Sequence, residues 1–304
     1  MNKFIISFLA ISALFLSYGI SNAQVLLVTA DDVCVQGTGS LNASLYRVDP
    51  DTAAFKEIGP IGFSGVGGLA QIGDGRLVAS ARADTNGDKI SILIEINPFT
   101  GEGRLIGTIG SSNGPGCGRI NDLTYDPATD TLYATGIQCD NAPSDFDVRL
   151  LTINPDTGAG TIIGETGFFI AGNALAISSN GTLFSSGGCS NVVYTINPQT
   201  GVGTFLSNIP GPCSPIFNSA TFSPFTGEFL GTFNFFPSTE LTVLDPFTGQ
   251  VTSIGQLPDC ADGIEFVTLP PRNIPTLSQW GLIAMAGILG FVGFMVIRRK
   301  RVIA

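Results

Sequence analysis

A short phrase recurs through this chain, Asn or Asp followed by Pro, any residue, Thr and Gly, and its recurrence constrains the fold more than any other feature. The Asn or Asp markers are Asp49, Asn97, Asn154, Asn197 and Asp245, separated by 48, 57, 43 and 48 residues. Four copies keep the Thr-Gly pair, at Thr100-Gly101, Thr157-Gly158, Thr200-Gly201 and Thr248-Gly249, and the first degenerates to Thr52-Ala53. Each copy is preceded by a β-rich run such as Leu45-Tyr46-Arg47-Val48 or Tyr194-Thr195-Ile196 and followed by another. That is hairpin chemistry: Asn or Asp caps the turn, Pro presets φ, and Gly takes the positive-φ position. Two further strand-like runs accompany every hairpin. The first runs include Asn121-Asp122-Leu123-Thr124-Tyr125 and Asn173-Ala174-Leu175-Ala176-Ile177; the second include Thr131-Leu132-Tyr133-Ala134 and Thr182-Leu183-Phe184-Ser185. Four short strands per repeat of this length predict a β-propeller blade.

The ends of the repeat region complete the ring. Val25-Leu26-Leu27-Val28 reads as the second strand of a blade that lacks its first, and Asp262-Gly263-Ile264-Glu265-Phe266 as a first strand that lacks a second. Together they make one blade from both termini, so the expected fold is all-β, a five-bladed propeller over residues 24–271. An open solenoid has no use for complementary half-units at its ends. The pattern resembles bacterial secreted propellers with LY-x-IDP-x-TG repeats, akin to NHL-type propellers; that resemblance implies a fold and no activity.

Both termini read as addresses. In residues 1–23, Lys3 precedes an apolar run from Phe4 to Leu16, and Ser21-Asn22-Ala23 ends in a small residue before Gln24. This is a signal peptide with cleavage expected between Ala23 and Gln24. At the other end, residues 272–281 carry Ile274-Pro275-Thr276-Leu277 and Trp280-Gly281. An uninterrupted apolar and Gly run from Leu282 to Ile297 follows, then Arg298-Arg299-Lys300-Arg301. Residues 282–304 are thus expected to form one transmembrane helix with a basic cytoplasmic end. The tail resembles the IPTL-CTERM sorting signal, a relative of the PEP-CTERM signals of Gram-negative bacteria. The resemblance implies recognition by an exosortase-type protease-transpeptidase, with an inner-membrane-anchored precursor passed on to the cell surface or the extracellular space.

Composition narrows the chemistry. The chain has no His, which removes Ser-His-Asp and Cys-His hydrolases and His-ligated metals. Between the two ends, 8 basic residues face 24 acidic ones, a surface that repels nucleic acid. The six cysteines belong to an exported chain, and disulfides are expected. In a four-stranded blade the loops after second strands and before first strands share one face. Cys34, Cys139 and Cys189 follow second strands, whereas Cys117, Cys213 and Cys260 precede first strands. The expected pairs are Cys34–Cys260, Cys117–Cys139 and Cys189–Cys213.

Functional candidates lie where inner strands begin. Asp262, Asn121, Asp122, Asn173 and Asn218 form a ring of amide and carboxylate oxygens at the channel mouth, a donor set that suits Ca²⁺. The simpler role for the same residues is capping strand entries by local hydrogen bonds. Asp84-Thr85-Asn86-Gly87-Asp88, with Glu95 beyond it, has the look of a calcium loop, but its Gly falls at the fourth position and a hairpin tip explains it. Phe168, Phe169, Phe235 and Phe236 belong to loops of the cysteine face and form either a binding patch or a packing layer. The expected function is a non-enzymatic surface module presenting these loops to an extracellular polysaccharide or surface protein, with no cofactor beyond a Ca²⁺ at the ring. The alternative is a secreted metal-dependent hydrolase or lactonase using that ring, although enzymatic propellers of the gluconolactonase type need a metal-binding Glu, and Glu265 lies within its strand.

Pro275 keeps the sorting motif extended rather than helical. Replacing Pro275 and Thr276 with Ala should leave the apolar span intact but hold the full-length form in the inner membrane. Intact mass and fractionation of wild type and variant check this; equal retention of residues 282–304 in both would reduce the tail to an anchor.

Overall fold

The computed structural model describes residues 23–31, 43–139, 147–169, 173–187, 191–210, 216–235, 238–270 and 286–291. Gln24–Leu269 form one compact unit. It contains five four-stranded antiparallel sheets arranged as the blades of a propeller. The first blade joins β1 (Ala23–Ala30), β2 (Ser44–Val48) and β3 (Phe55–Pro60) to the last strand, β20 (Ala261–Leu269). The second blade is β4 (Leu69–Gln71), β5 (Leu77–Arg82), β6 (Ile90–Ile96) and β7 (Gly103–Ser111). The third is β8 (Cys117–Asp126), β9 (Thr131–Cys139), β10 (Asp147–Ile153) and β11 (Gly160–Phe169). The fourth is β12 (Asn173–Ile177), β13 (Leu183–Gly187), β14 (Val192–Ile196) and β15 (Gly203–Asn208). The fifth is β16 (Ile216–Phe222), β17 (Phe229–Phe235), β18 (Ser238–Leu244) and β19 (Val251–Gln256). The ring closes as expected from the half-units, with β20 from the C-terminal side lying beside β1 from the N-terminal side.

The repeated turns work through their first residue. Asn154 Oδ1 accepts from the N–H groups of Asp156 and Thr157 at 2.9 and 3.1 Å, and Asn197 does the same for Gln199 and Thr200. Gly101, Gly158, Gly201 and Gly249 take φ between 73° and 83°, where a Cβ is disfavoured. Ala53 holds the same left-handed conformation, φ 57°, in the degenerate first copy.

A second repeated device locks each blade to the next. Each outer strand carries a β-bulge at one equivalent place, and the extra residues are Ile58, Ile106, Ile163, Leu206 and Ile254. All five pack against the hydrophobic clusters between blades. The bulge turns an aliphatic side chain into the interblade layer. In four blades the next residue is glycine, and the turn of a neighbouring blade rests on it: a Cβ on Gly107 would meet the Thr157 carbonyl at 2.0 Å, and one on Gly164 the Thr200 carbonyl at 2.1 Å. In the fourth blade Ser207 occupies the glycine place and its hydroxyl donates to the Pro246 carbonyl at 2.9 Å.

In the tail, residues 286–291 are helical with exposed side chains. No helix among the described residues is long and apolar enough to cross a membrane. The rest of the expected span Leu282–Ile297, the motif residues 274–281 and the signal peptide up to residue 22 lie outside the described residues.

Gly107→Ala should destabilise the propeller by about 2 kcal/mol or more, since backbone rather than a movable side chain meets the new methyl. Gly75→Ala, strained by φ 89° but with nothing within 4 Å, should cost about 1 kcal/mol. Thermal unfolding of the two variants, with Gly107→Ala the lower, checks the lock.

Candidate functional site

The five inner strands, β4, β8, β12, β16 and β20, surround a channel, and each presents an unpaired strand edge to it. Buried backbone N–H groups need acceptors. Here side chains supply them, several reaching across from other blades. Asp122 of β8 takes the largest share. Its Oδ2 accepts from Leu175 N–H of β12 at 2.7 Å and from Ala220 N–H of β16 at 3.0 Å. Its Oδ1 accepts from the Ser219 hydroxyl at 2.8 Å and from Leu123 N–H at 2.9 Å. Ser219 Oγ in turn accepts from Ile264 N–H of β20 at 3.1 Å. Thr29 accepts from Gly263 N–H at 2.9 Å and donates to the Val66 carbonyl at 3.1 Å.

This layer is crowded. A Cβ on Gly68 would meet Leu123 N at 2.2 Å, and one on Gly263 the Gly67 carbonyl at 2.3 Å. Glycines therefore admit the close approach of β4 to β8 and of β20 to β4, and Asp122 is fully buried in the space left. Burial pushes its carboxyl well above the ordinary range, against the pull of the Leu175, Ser219, Ala220 and Leu123 donors.

The residues expected to form a mouth ring take different roles. Asn121 and Asn218 are the extra residues of β-bulges in β8 and β16. Asn218 Nδ2 donates to Asp262 Oδ1 at 2.6 Å, which brings those two ring members together. Asn121 Nδ2 is buried and has no partner among the described residues. Asp122 sits one layer deeper, its oxygens taken by four donors. Asn173 opens β12 and pairs with Gly187. Among the described residues no group of three or more Cys, Asp or Glu side chains could hold a metal ion.

Arginines, which the sequence reading did not single out, complete this mouth. Asp31, just after β1, and Asp262 both feel Arg82, at the end of β5. Burial, aided by Asp262, pushes Asp31 up to about 7; burial raises Asp262 to about 6 against Arg82 and Asn218. Burial and the neighbouring Arg119 charge hold Arg82 below the usual guanidinium range. Arg119 grips Asp84 with both terminal nitrogens, Nη1 at 2.7 Å, and keeps that carboxyl below its ordinary value. The mouth thus brings carboxyl and guanidinium groups together.

Asp84–Asp88 forms the hairpin tip between β5 and β6. Thr85 bridges to Asp88 across Asn86 and Gly87, which hold φ of 51° and 83°. Asp88 accepts from the Ser111 and Ser112 hydroxyls, and Glu95 pairs with Arg104 at 2.7 Å. Cys117 and Cys139 are bonded, at opposing ends of β8 and β9, with Cα atoms 3.9 Å apart. Cys260 is also disulfide-bonded, and its carbonyl accepts from Asp31 N–H at 3.3 Å. Cys34, Cys189 and Cys213 lie outside the described residues. Phe168 stacks on Tyr194 with ring centroids 4.1 Å apart, a packing role. The side chains of Phe169 and Phe235, and Phe236 altogether, lie outside the described residues.

Residues 274–301 match the IPTL-CTERM motif, which implies an exported, cell-surface protein processed by an exosortase-type enzyme. No curated protein matches the chain by sequence. Among solved structures, a chain of a nidogen–laminin complex aligns over 81% of this chain and 99% of its own, at 13% identity and TM-score 0.51. The periplasmic gluconolactonase PpgL of Pseudomonas aeruginosa aligns over 82% of this chain and 100% of its own, at 13% identity and TM-score 0.46. The likeness to the first is one of fold.

Asp122→Ala would leave Leu175 and Ala220 N–H groups buried without an acceptor, at roughly 1–3 kcal/mol for each. We expect a loss of at least about 2 kcal/mol, measured by denaturant unfolding. A variant as stable as wild type would show that the channel edges find other partners.

Proposed function

We propose that the chain is a non-enzymatic binding or scaffold module of the cell surface, presenting the face that carries the Cys117–Cys139 bridge to an extracellular polysaccharide or a surface protein. The observation that supports this most is the engagement of Asp122. The one carboxylate at the centre of the channel accepts from β8, β12 and β16 at once, and so serves the fold. A carboxylate ringed by four donors is a poor cation ligand, because each N–H or O–H dipole already supplies the positive charge a metal would bring. The sorting tail agrees with a role at the surface, and the acidic propeller favours contact with neutral or cationic partners. The mouth with Asp31, Arg82 and Asp262 offers both signs of charge to such a partner.

The test is a paired assay on the full-length protein: retention on surface polysaccharide of the producing cell, and turnover of lactones and simple esters with and without Ca²⁺. Retention without turnover is expected. Turnover that saturates with Ca²⁺ and disappears in Asp262→Asn would replace this reading with the metal-dependent hydrolase, and would make the Asp262, Asn121, Asn173 and Asn218 ring its calcium site.

A further inference from the structure

At the end of the channel opposite the Cys117–Cys139 bridge, the turns that leave β8, β12 and β16 line a half-open cavity of about 560 Å³. That volume falls within the range of small-molecule sites, about 300–1,000 Å³. Its lining includes Thr124, Asp126, Ile177, Thr221, Phe222 and Glu265. Thr124, Thr221 and Glu265 occupy equivalent places in their inner strands, one layer below Asp122 and Ser219. Glu265 Oε2 accepts from the Thr221 hydroxyl at 3.0 Å. No other hydrogen bond or ion pair reaches Glu265 among the described residues, so one carboxyl oxygen has no protein donor among them.

We propose that this cavity binds a small hydroxylated organic ammonium ion, with Glu265 as the group that receives the ammonium. Among the described residues no Lys or Arg lines the cavity. The other titratable groups facing it among the described residues are Tyr125 and Asp126, both of β8. Asp126 is committed: its oxygens accept from Ala128 N–H at 2.9 Å and the Thr129 hydroxyl at 2.7 Å. The Tyr125 hydroxyl donates to Asp130 at 2.7 Å. Glu265 is therefore the one carboxyl with capacity for a ligand, and a ligand ammonium supplies both the missing N–H donors and the opposite charge. A divalent cation fits less well, since it takes roughly six to eight oxygen ligands with several carboxylates among them. Ile177 and Phe222 give apolar wall for a carbon skeleton, and the threonines suit its hydroxyls.

The proton balance makes the site distinctive. Burial pushes the Glu265 carboxyl up to about 8 against the pull of the Thr221 hydroxyl. The empty site is thus mostly protonated at neutral pH. Binding an ammonium favours the carboxylate, and the Glu265 proton leaves to solvent. The ionised fraction rises about fifty-fold between pH 6 and pH 8 for a midpoint near 8, and affinity should follow it.

The probe pair is glucamine and sorbitol, which differ by an ammonium in place of one hydroxyl, titrated calorimetrically into the full-length protein. Glucamine should bind, tighten more than tenfold from pH 6 to pH 8, and release about one proton per molecule bound at pH 7; sorbitol should not bind measurably. Glu265→Gln, which keeps an acceptor for Thr221, should weaken glucamine at least tenfold at pH 8 and abolish the pH dependence. Equal binding of sorbitol, glucamine binding without proton release, or no saturable glucamine binding overturns the proposal. The proton count needs only wild-type protein, so the proposal stays testable if Glu265→Gln fails to fold. The proposed surface function rests on the opposite face and is unaffected by any of these outcomes.

Discussion

Every blade of a propeller turns one strand edge toward the axis, and in a ring of five those edges come close enough that water cannot serve all of them. Their N–H groups must find acceptors inside the protein. Asp122 meets that demand for two other blades at once, through Leu175 and Ala220, and Ser219 and Thr29 pass the same service on to Ile264 and Gly263. The bonds of Asp122 to Leu175 and Ala220 and of Ser219 to Ile264 run between blades, whereas that of Thr29 to Gly263 joins β1 and β20 within the first. Removing one acceptor therefore loosens the ring, whereas each four-stranded sheet keeps its own ladder.

The outer part of the ring is held by shape. A bulge residue fills the space between blades while the residue after it, Gly59, Gly107, Gly164 or Gly255, clears room for the neighbouring turn. Aliphatic burial supplies the energy and the bare backbone supplies the register. The two devices act at opposite radii, polar near the axis and apolar outside it. This suits an acidic chain whose carboxylates are costly to bury unless hydrogen-bonded.

The layer of Asp122 and Ser219 lies between two channel mouths of different character. On the disulfide face, Asp31, Asp262, Asp84, Arg82 and Arg119 balance one another, and the resulting patch is polar with both signs. On the opposite face, Glu265 has one neutral donor and a cavity beside it. The same strand, β20, supplies Asp262 to one mouth and Glu265 to the other. Closing the ring with a strand from the far end of the chain thus also brings a carboxyl to each side.

The blade count, the four-strand repeat and the closing half-units were legible in the sequence because the turns are local chemistry. Asn154 caps N–H groups two and three residues away, and Gly158 takes its conformation whatever the rest of the chain does. Cys117 and Cys139 could be paired by the same logic, since strand order alone sets them opposite one another. The Ile-Gly bulges were not legible: a common dipeptide acquires meaning only when another blade's turn rests on it. The sequence pattern puts Asp122 in a mouth ring, yet its partners at Leu175 and Ala220 lie 53 and 98 residues away, and no local pattern names them. In the sequence Glu265 is a residue inside a strand, and it is the fold that leaves a cavity beside that strand. Local sequence determined which strands and turns form, because their hydrogen bonds close within a few residues. Tertiary structure alone decided which carboxylates are consumed by the fold and which remain for a ligand, because that depends on donors brought in from other blades.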